Sequence, residues 1–136
     1  MKTKLFVILV GTLFMLLLGA SEGWDFQIDP PRVINDKSGT GDYNIDFEVL
    51  NKSTNDTYRG VGTVLVTTVC RNPDGHEQLF RKDEKFEMKN GSLKRLVYDF
   101  HSNFKLGRML VQIEASSPDG KTSFDHFESI LRVQSD

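Results

Sequence analysis

The sequence lacks a second cysteine, because Cys70 is the only one among 136 residues. No intramolecular disulfide can form, so a domain of this size must depend on its hydrophobic core. Cys70 shares strand parity with Val64, Val66 and Thr68. If that face is the core, Cys70 is a buried and inert free thiol. A surface position would instead allow an intermolecular disulfide.

Basic blocks are also missing. The chain has 17 Lys and Arg against 19 Asp and Glu, a formal net charge of −2, and the two signs are interspersed. Nucleic-acid-binding proteins concentrate positive charge, as do polybasic membrane motifs. We therefore predict that nucleic acid is not a partner.

Catalytic and metal-binding motifs are absent as well. The sequence contains no G-x-S-x-G, no H-E-x-x-H and no P-loop. Its three histidines lack metal-ligand spacing to one another or to Cys70. We predict no enzymatic activity, no cofactor and no metal site.

One long apolar run is present, from Leu5 to Leu18, preceded by Lys2 and Lys4 and followed by small residues. This order predicts a cleaved signal peptide over residues 1–22, and a single secreted, extracellular domain over residues 23–136. The run is shorter than the ~20 residues that span a bilayer. No other run approaches its length, so no integral membrane segment is expected after cleavage.

Three N-x-S/T sequons follow the apolar run, at Asn51, Asn55 and Asn90. Together with a signal peptide they predict a glycoprotein that carries glycans on surface loops. Plain polar loops are the alternative interpretation of each site.

The rest of the chain has the pattern of β-structure. Tyr43 to Leu50 alternates apolar and polar residues, and Pro-Asp-Gly turns occur at 72–75 and 117–120. A bulge or bend is expected at Gly60 and Gly62, and a bulge is expected near Asp125. Seven to nine short strands without an amphipathic helix predict an all-β fold, a two-sheet antiparallel immunoglobulin-like β-sandwich.

Phenylalanine is unusually frequent, with ten in the chain. These rings either fill a core or line an apolar cavity between two sheets, and the sequence leaves both open. Strand parity selects the candidate ligand-lining residues: Phe47, Val64, Val66, Phe86, Phe100, Val111, Ile113 and Phe127.

Several segments together resemble a known family. They are 26–33, with its Pro30-Pro31 step, then 55–58, the hairpin 70–75, and the C-terminal pair 110–114 and 124–133 around the turn 117–121. In combination they resemble the ML (MD-2-related lipid-recognition) domain family, nearest to its insect and other arthropod chemosensory, ganglioside-activator-like secreted members. The family's disulfides are absent here.

The resemblance implies two antiparallel sheets with a lipid or other hydrophobic small molecule between them. Each buried CH₂ would contribute about 0.8 kcal/mol to binding. The resulting hypothesis is a secreted carrier or sensor of hydrophobic ligands. The alternative is a secreted immunoglobulin- or fibronectin-like interaction domain, an effector whose partner is a receptor or another protein.

Overall fold

The computed structural model describes residues 24–35, 41–54, 61–75, 78–104 and 106–135. The predicted signal peptide and the sequon residue Asn55 lie outside these ranges. Within them the chain is all-β. No helix in the described part is long and apolar enough to cross a membrane.

Eight strands make up the described fold, within the predicted range. In chain order they are β1 (Phe26–Ile28), β2 (Arg32–Asn35), β3 (Asp42–Asn51), β4 (Val61–Arg71), β5 (Gln78–Lys89), β6 (Leu93–His101), β7 (Arg108–Ser116) and β8 (Ser123–Ser135). β5 is continuous because its charged middle stays in register with β4, from Phe80 opposite Cys70 to Lys89 opposite Val61.

The strands pair in two groups. β3 is antiparallel to β1, β2 and β6, and the series β5-β4-β7-β8 is antiparallel throughout. The groups join where β2 runs parallel to the end of β8, with Val33 opposite Val133. The result is one mixed sheet curved into a half-barrel. The prediction of purely antiparallel pairing is wrong at this ladder. β2 and β8 are far apart in the sequence, so no hairpin sets their relative direction.

The core lies between the two groups. Along β3, Tyr43, Ile45, Phe47 and Val49 are buried, on the face that the alternation predicts. The opposite wall comes from β4 and β7. Its fully buried members are Val64, Val66, Thr68, Cys70, Met109, Val111, Ile113 and Ala115.

One of the two expected bulges is present. Ala115 lies opposite Asp125 and Ser116 opposite Ser123, so Phe124 is the extra residue. Gly60 lies outside the described residues, and Gly62 pairs with Met88 in regular register. A Cβ on Gly62 would lie 3.0 Å from the Phe26 ring, so this glycine permits close approach of an aromatic ring rather than a bulge.

Candidate interaction surface

The predicted ligand-lining residues of β4 and β7 are fully packed. Val64, Val66, Val111 and Ile113 are each 0% exposed. All four belong to the buried core, and their role as ligand-lining residues remains a prediction.

The four phenylalanines on that prediction have different environments. Phe47 and Phe100 are in the buried core, whereas Phe86 and Phe127 are partly buried and pack against it. Phe100 and Phe47 border depressions of ≈ 470 and ≈ 370 Å³, which open to solvent beside charged residues. All eight predicted residues therefore lie either in the buried core or packed against it.

The sequon at Asn51 is part of the fold. Asn51 is fully buried, and its Nδ2 donates a 2.9 Å hydrogen bond to the carbonyl of Met88. Its Oδ1 accepts from the Ser53 amide, and the Ser53 Oγ accepts from the Asp25 amide at 2.6 Å. An Asn and a Ser two residues later form a local side-chain-to-backbone turn here. A glycan on Asn51 does not fit this geometry, because its attachment nitrogen is buried and bonded.

Asn90 lies in the tight turn between β5 and β6. The Ser92 amide donates to the Lys89 carbonyl at 3.0 Å, and Gly91 has a φ of 77°, which favours glycine. Asn90 is only partly buried there. Glycosylation at Asn90 remains a prediction.

Cys70 is free and 0% exposed, on the core face of β4. Burial raises the pKa of its thiol from 9.0 to about 12. An intermolecular disulfide would need an accessible sulfur. The buried position therefore favours the inert interpretation of this cysteine.

The outer face of β4, β7 and β8 presents basic and apolar side chains together. Leu110 lies opposite Arg71 on one side and Ile130 on the other, and Arg108 lies opposite Arg132. Ile130 is 52% exposed, Arg108 and Arg132 are exposed, and Arg71 and Leu110 are half-buried. We call these five residues the arginine face.

Two arginines of this face have no carboxylate partner. Elsewhere Arg32 and Arg95 pair with Asp46, and Arg81 pairs with Asp83. Neither Arg108 nor Arg132 forms an ion pair with any residue that the structure describes. Like charges directly opposite each other in a sheet are destabilising. A favourable contribution to folding therefore does not explain why Arg108 and Arg132 lie opposite each other.

The nearest acidic group, Glu128, is already occupied. Gln112 donates to Glu128 Oε2 at 2.8 Å and accepts a hydrogen bond from Arg71, while His126 Nε2 lies 3.3 Å from the same carboxylate. The Gln112 hydrogen bond, followed by the His126 one, lowers the pKa of Glu128. Arg71 is thus hydrogen-bonded to a neutral partner, and its charge also lowers the pKa of Glu128, so among the described residues the unpaired charges of the face are those of Arg108 and Arg132.

Sequence reasoning missed this face because its arginines are dispersed. Arg71, Arg108 and Arg132 come from three strands and look like isolated surface charges. They meet only through the register of β7 with β4 and β8. The described residues contain no group of three or more His, Cys, Asp or Glu side chains that could hold a metal ion.

No family model and no curated protein matches the chain. Solved structures do share the fold. Part of the β-glucosidase EmGH1 from Erythrobacter marinus aligns with a TM-score of 0.53 and 11% identity, covering 81% of this chain and 15% of that chain. A β-glucuronidase from Bacteroides uniformis aligns with a TM-score of 0.53 and 14% identity, covering 82% of this chain and 13% of that chain. The chain therefore spans a small part of each enzyme, and at these identities the likeness concerns the fold alone.

Proposed function

We propose that this chain is a secreted, non-catalytic interaction domain that binds another protein through the arginine face. The observation that carries the proposal is the opposed pair Arg108 and Arg132, which lacks an ion-pair partner among the described residues. A partner with carboxylates would neutralise both guanidinium groups. Secretion is part of the proposal and rests on the predicted signal peptide.

The composition of the face favours a protein as the partner. Arginine is enriched at protein interfaces, where its apolar stem packs while its guanidinium pairs with carboxylates. Leu110 and the exposed Ile130 provide apolar area beside the arginines. The partner's surface is then acidic and apolar, and opposite charge speeds the encounter of the two proteins.

The interior supports this proposal over the carrier hypothesis. A lipid between the sheets would have to displace side chains that are 0% exposed, such as Val66 and Val111. Cores packed at this density do not accept extra groups without strain. The likeness to the ML family and the carrier hypothesis remain predictions.

An immunoglobulin-like sandwich is the finer fold assignment that we infer. Its two layers would be β1-β3-β6 and β5-β4-β7-β8, with β2 as the strand that bridges them. The burial of side chains from both groups against each other supports this assignment. The fold also occurs as a small part of larger enzymes, and a fold by itself does not imply an activity.

The test is a peptide selection against the purified protein. Random peptides displayed on phage should be enriched for sequences that combine Asp or Glu with apolar residues. Replacing both arginines, Arg108→Ser with Arg132→Ser, should weaken the selected peptides about tenfold or more, as expected for central interface residues. Binding should also weaken as salt is raised.

The matched control removes the same charge elsewhere. Lys82→Ser with Lys89→Ser changes two exposed basic residues of β5 and should leave peptide affinity unchanged. Equal losses in the two double variants would refute a specific face. A lipid that co-purifies at one molecule per chain in native mass spectrometry would restore the carrier hypothesis and reject this one.

A further inference from the structure

Strand β6 has an open edge. Among the described residues it forms a ladder only with β3, from Leu93 opposite Leu50 to His101 opposite Asp42. Its outward side chains include Leu93 at 53% exposed and Val97 at 49%. An unpaired edge with exposed apolar side chains is a template for pairing with another strand.

β5, which also pairs on one side only among the described residues, is protected in the usual way. Its sequence, QLFRKDEKFEMK, places charged residues on both faces of the strand. Charged side chains on an edge oppose pairing with another chain, because pairing would desolvate them. β6 has fewer charges, in the sequence LKRLVYDFH. The two edges therefore differ in their capacity to pair.

We propose that β6 pairs antiparallel with β6 of a second copy of this chain, about a two-fold axis at Val97. A two-fold axis gives a self-complementary interface, in which each contact occurs twice. In this register Val97 lies opposite Val97 of the second copy. Arg95 lies opposite Asp99 of the second copy, and Asp99 lies opposite its Arg95.

Charge complementarity selects this register over its neighbours. Residues directly opposite in an antiparallel pair face the same side, so outward residues must oppose outward residues. An axis at Arg95 or at Asp99 would oppose like charges. An axis at Leu96 or at Tyr98 would put Asp99 opposite an apolar side chain, Leu93 or Val97. Of these five axes, the one at Val97 pairs opposite charges and an apolar residue with itself.

Arg95 already has a carboxylate partner on β3, the strand that pairs with β6 on the side away from the open edge. Its Nε and Nη2 donate to the two oxygens of Asp46, at 2.8 and 2.5 Å, and Arg32 donates to Asp46 Oδ2 at 2.8 Å. Pairing with Asp99 of the second copy would use the other donors of this guanidinium, which has five in all.

The symmetry predicts a specific cross-link. Residues on a two-fold axis face their own copies, and Cα atoms opposite each other in antiparallel strands are about 4.5 to 5.5 Å apart, within disulfide range. Val97→Cys should therefore form a disulfide-linked dimer under mild oxidation. Leu93→Cys is the matched control, on the same strand and about equally exposed, but its opposite residue is His101. The native Cys70 is buried and should not contribute.

Sedimentation velocity of the unmodified protein gives the second readout. We expect a concentration-dependent monomer–dimer equilibrium, and Asp99→Arg should weaken it about tenfold or more by opposing Arg95 with a like charge. Asp83→Arg, the same change on the β5 edge, should leave the equilibrium unchanged. A protein that stays monomeric at every concentration overturns the proposal. So does a dimer in which Val97→Cys cross-links no faster than Leu93→Cys. Neither result bears on peptide binding by the arginine face.

Discussion

The two long sides of the half-barrel are closed by different interactions. On one side, backbone hydrogen bonds of the parallel β2–β8 ladder join the two groups of strands, from Val33 opposite Val133 to Asn35 opposite Ser135. On the other side no ladder joins β5 to β6 within the described residues. We call the first the ladder side and the second the side-chain side.

Aromatic and polar side chains close the second side. The Phe80 ring lies 5.1 Å from Phe100 and 5.9 Å from Tyr98, and the Tyr98 hydroxyl donates to Glu84 at 2.8 Å. The Lys94 ammonium lies 4.3 Å from the centre of the Phe86 ring. Backbone pairing depends little on which side chains are present, whereas this closure depends on each of them. It also leaves the backbone edges of β5 and β6 available to other strands.

The largest effect is expected on the ladder side, from Val33→Pro. β2 lies between β3 and β8, and proline removes a backbone donor from a strand paired on both edges. We expect a loss of about 3 kcal/mol or more in the free energy of unfolding, on top of any loss from the shorter side chain. Urea unfolding at neutral pH measures it.

Val33→Ala is the control, because it shortens the same fully buried side chain and keeps the backbone N–H. The difference in the free energy of unfolding between Val33→Pro and Val33→Ala measures the contribution of the backbone ladder. If Val33→Pro is no less stable than Val33→Ala, the backbone does not close this side.

A smaller loss is expected on the side-chain side, from Phe80→Ala. Phe80 contacts rings of β6 and is only partly buried, so its truncation should cost about 2 to 3 kcal/mol, below the range for a fully buried phenylalanine. Phe104→Ala, at a ring that is 47% exposed, should change stability by less than about 0.5 kcal/mol. Similar losses from the two variants would show that Phe80 does not hold β5 to β6.

Sequence pattern was sufficient for the two hairpins with Pro-Asp-Gly turns, β4–β5 and β7–β8. The period of two in β3 identified its buried face, since alternate residues of a strand point to opposite sides. The phase change between Phe124 and Phe127 identified the bulge in β8. The β2–β8 ladder was not predictable in this way, because it joins distant segments whose direction no local pattern encodes.

The arginine face shows why register limits prediction. If residues 117–120 formed a four-residue turn, the register of β7 with β8 would place Arg108 opposite Ser129. The same turn together with the one-residue bulge in β8 would place Arg108 opposite Ile130. The loop is wider, closed by a 2.7 Å hydrogen bond from the Ser117 amide to the Thr122 carbonyl, and only then does Arg108 lie opposite Arg132. Each one-residue shift changes which side chains meet. The filled core was likewise out of reach, because parity identifies inward residues but not the space between them.

The smallest effect concerns the polar contact of the side-chain side, and Tyr98→Phe removes it. Tyr98 is 8% exposed, and its hydroxyl donates to Glu84 across the gap between β6 and β5. Loss of this hydrogen bond should cost about 1 kcal/mol near neutral pH. In a Glu84→Ala background the same substitution should cost much less, which a double-mutant cycle measures.

The pH dependence tests the environment of the Tyr98 hydroxyl. Burial, and then the bond to the Glu84 carboxylate, raise the pKa of Tyr98 above its ordinary value of 10.0. The native protein therefore keeps a proton that the unfolded chain releases above pH 10. Stability is fully present below that pH and falls as the pH rises further, by up to about 1.4 kcal/mol per unit. Because Cys70 is buried, every variant also loses stability above pH 9 for the same kind of reason. The relevant quantity is therefore the difference in the free energy of unfolding between wild type and Tyr98→Phe. That difference should shrink above pH 10, and a constant difference would mean that the fold does not raise the pKa of the Tyr98 hydroxyl.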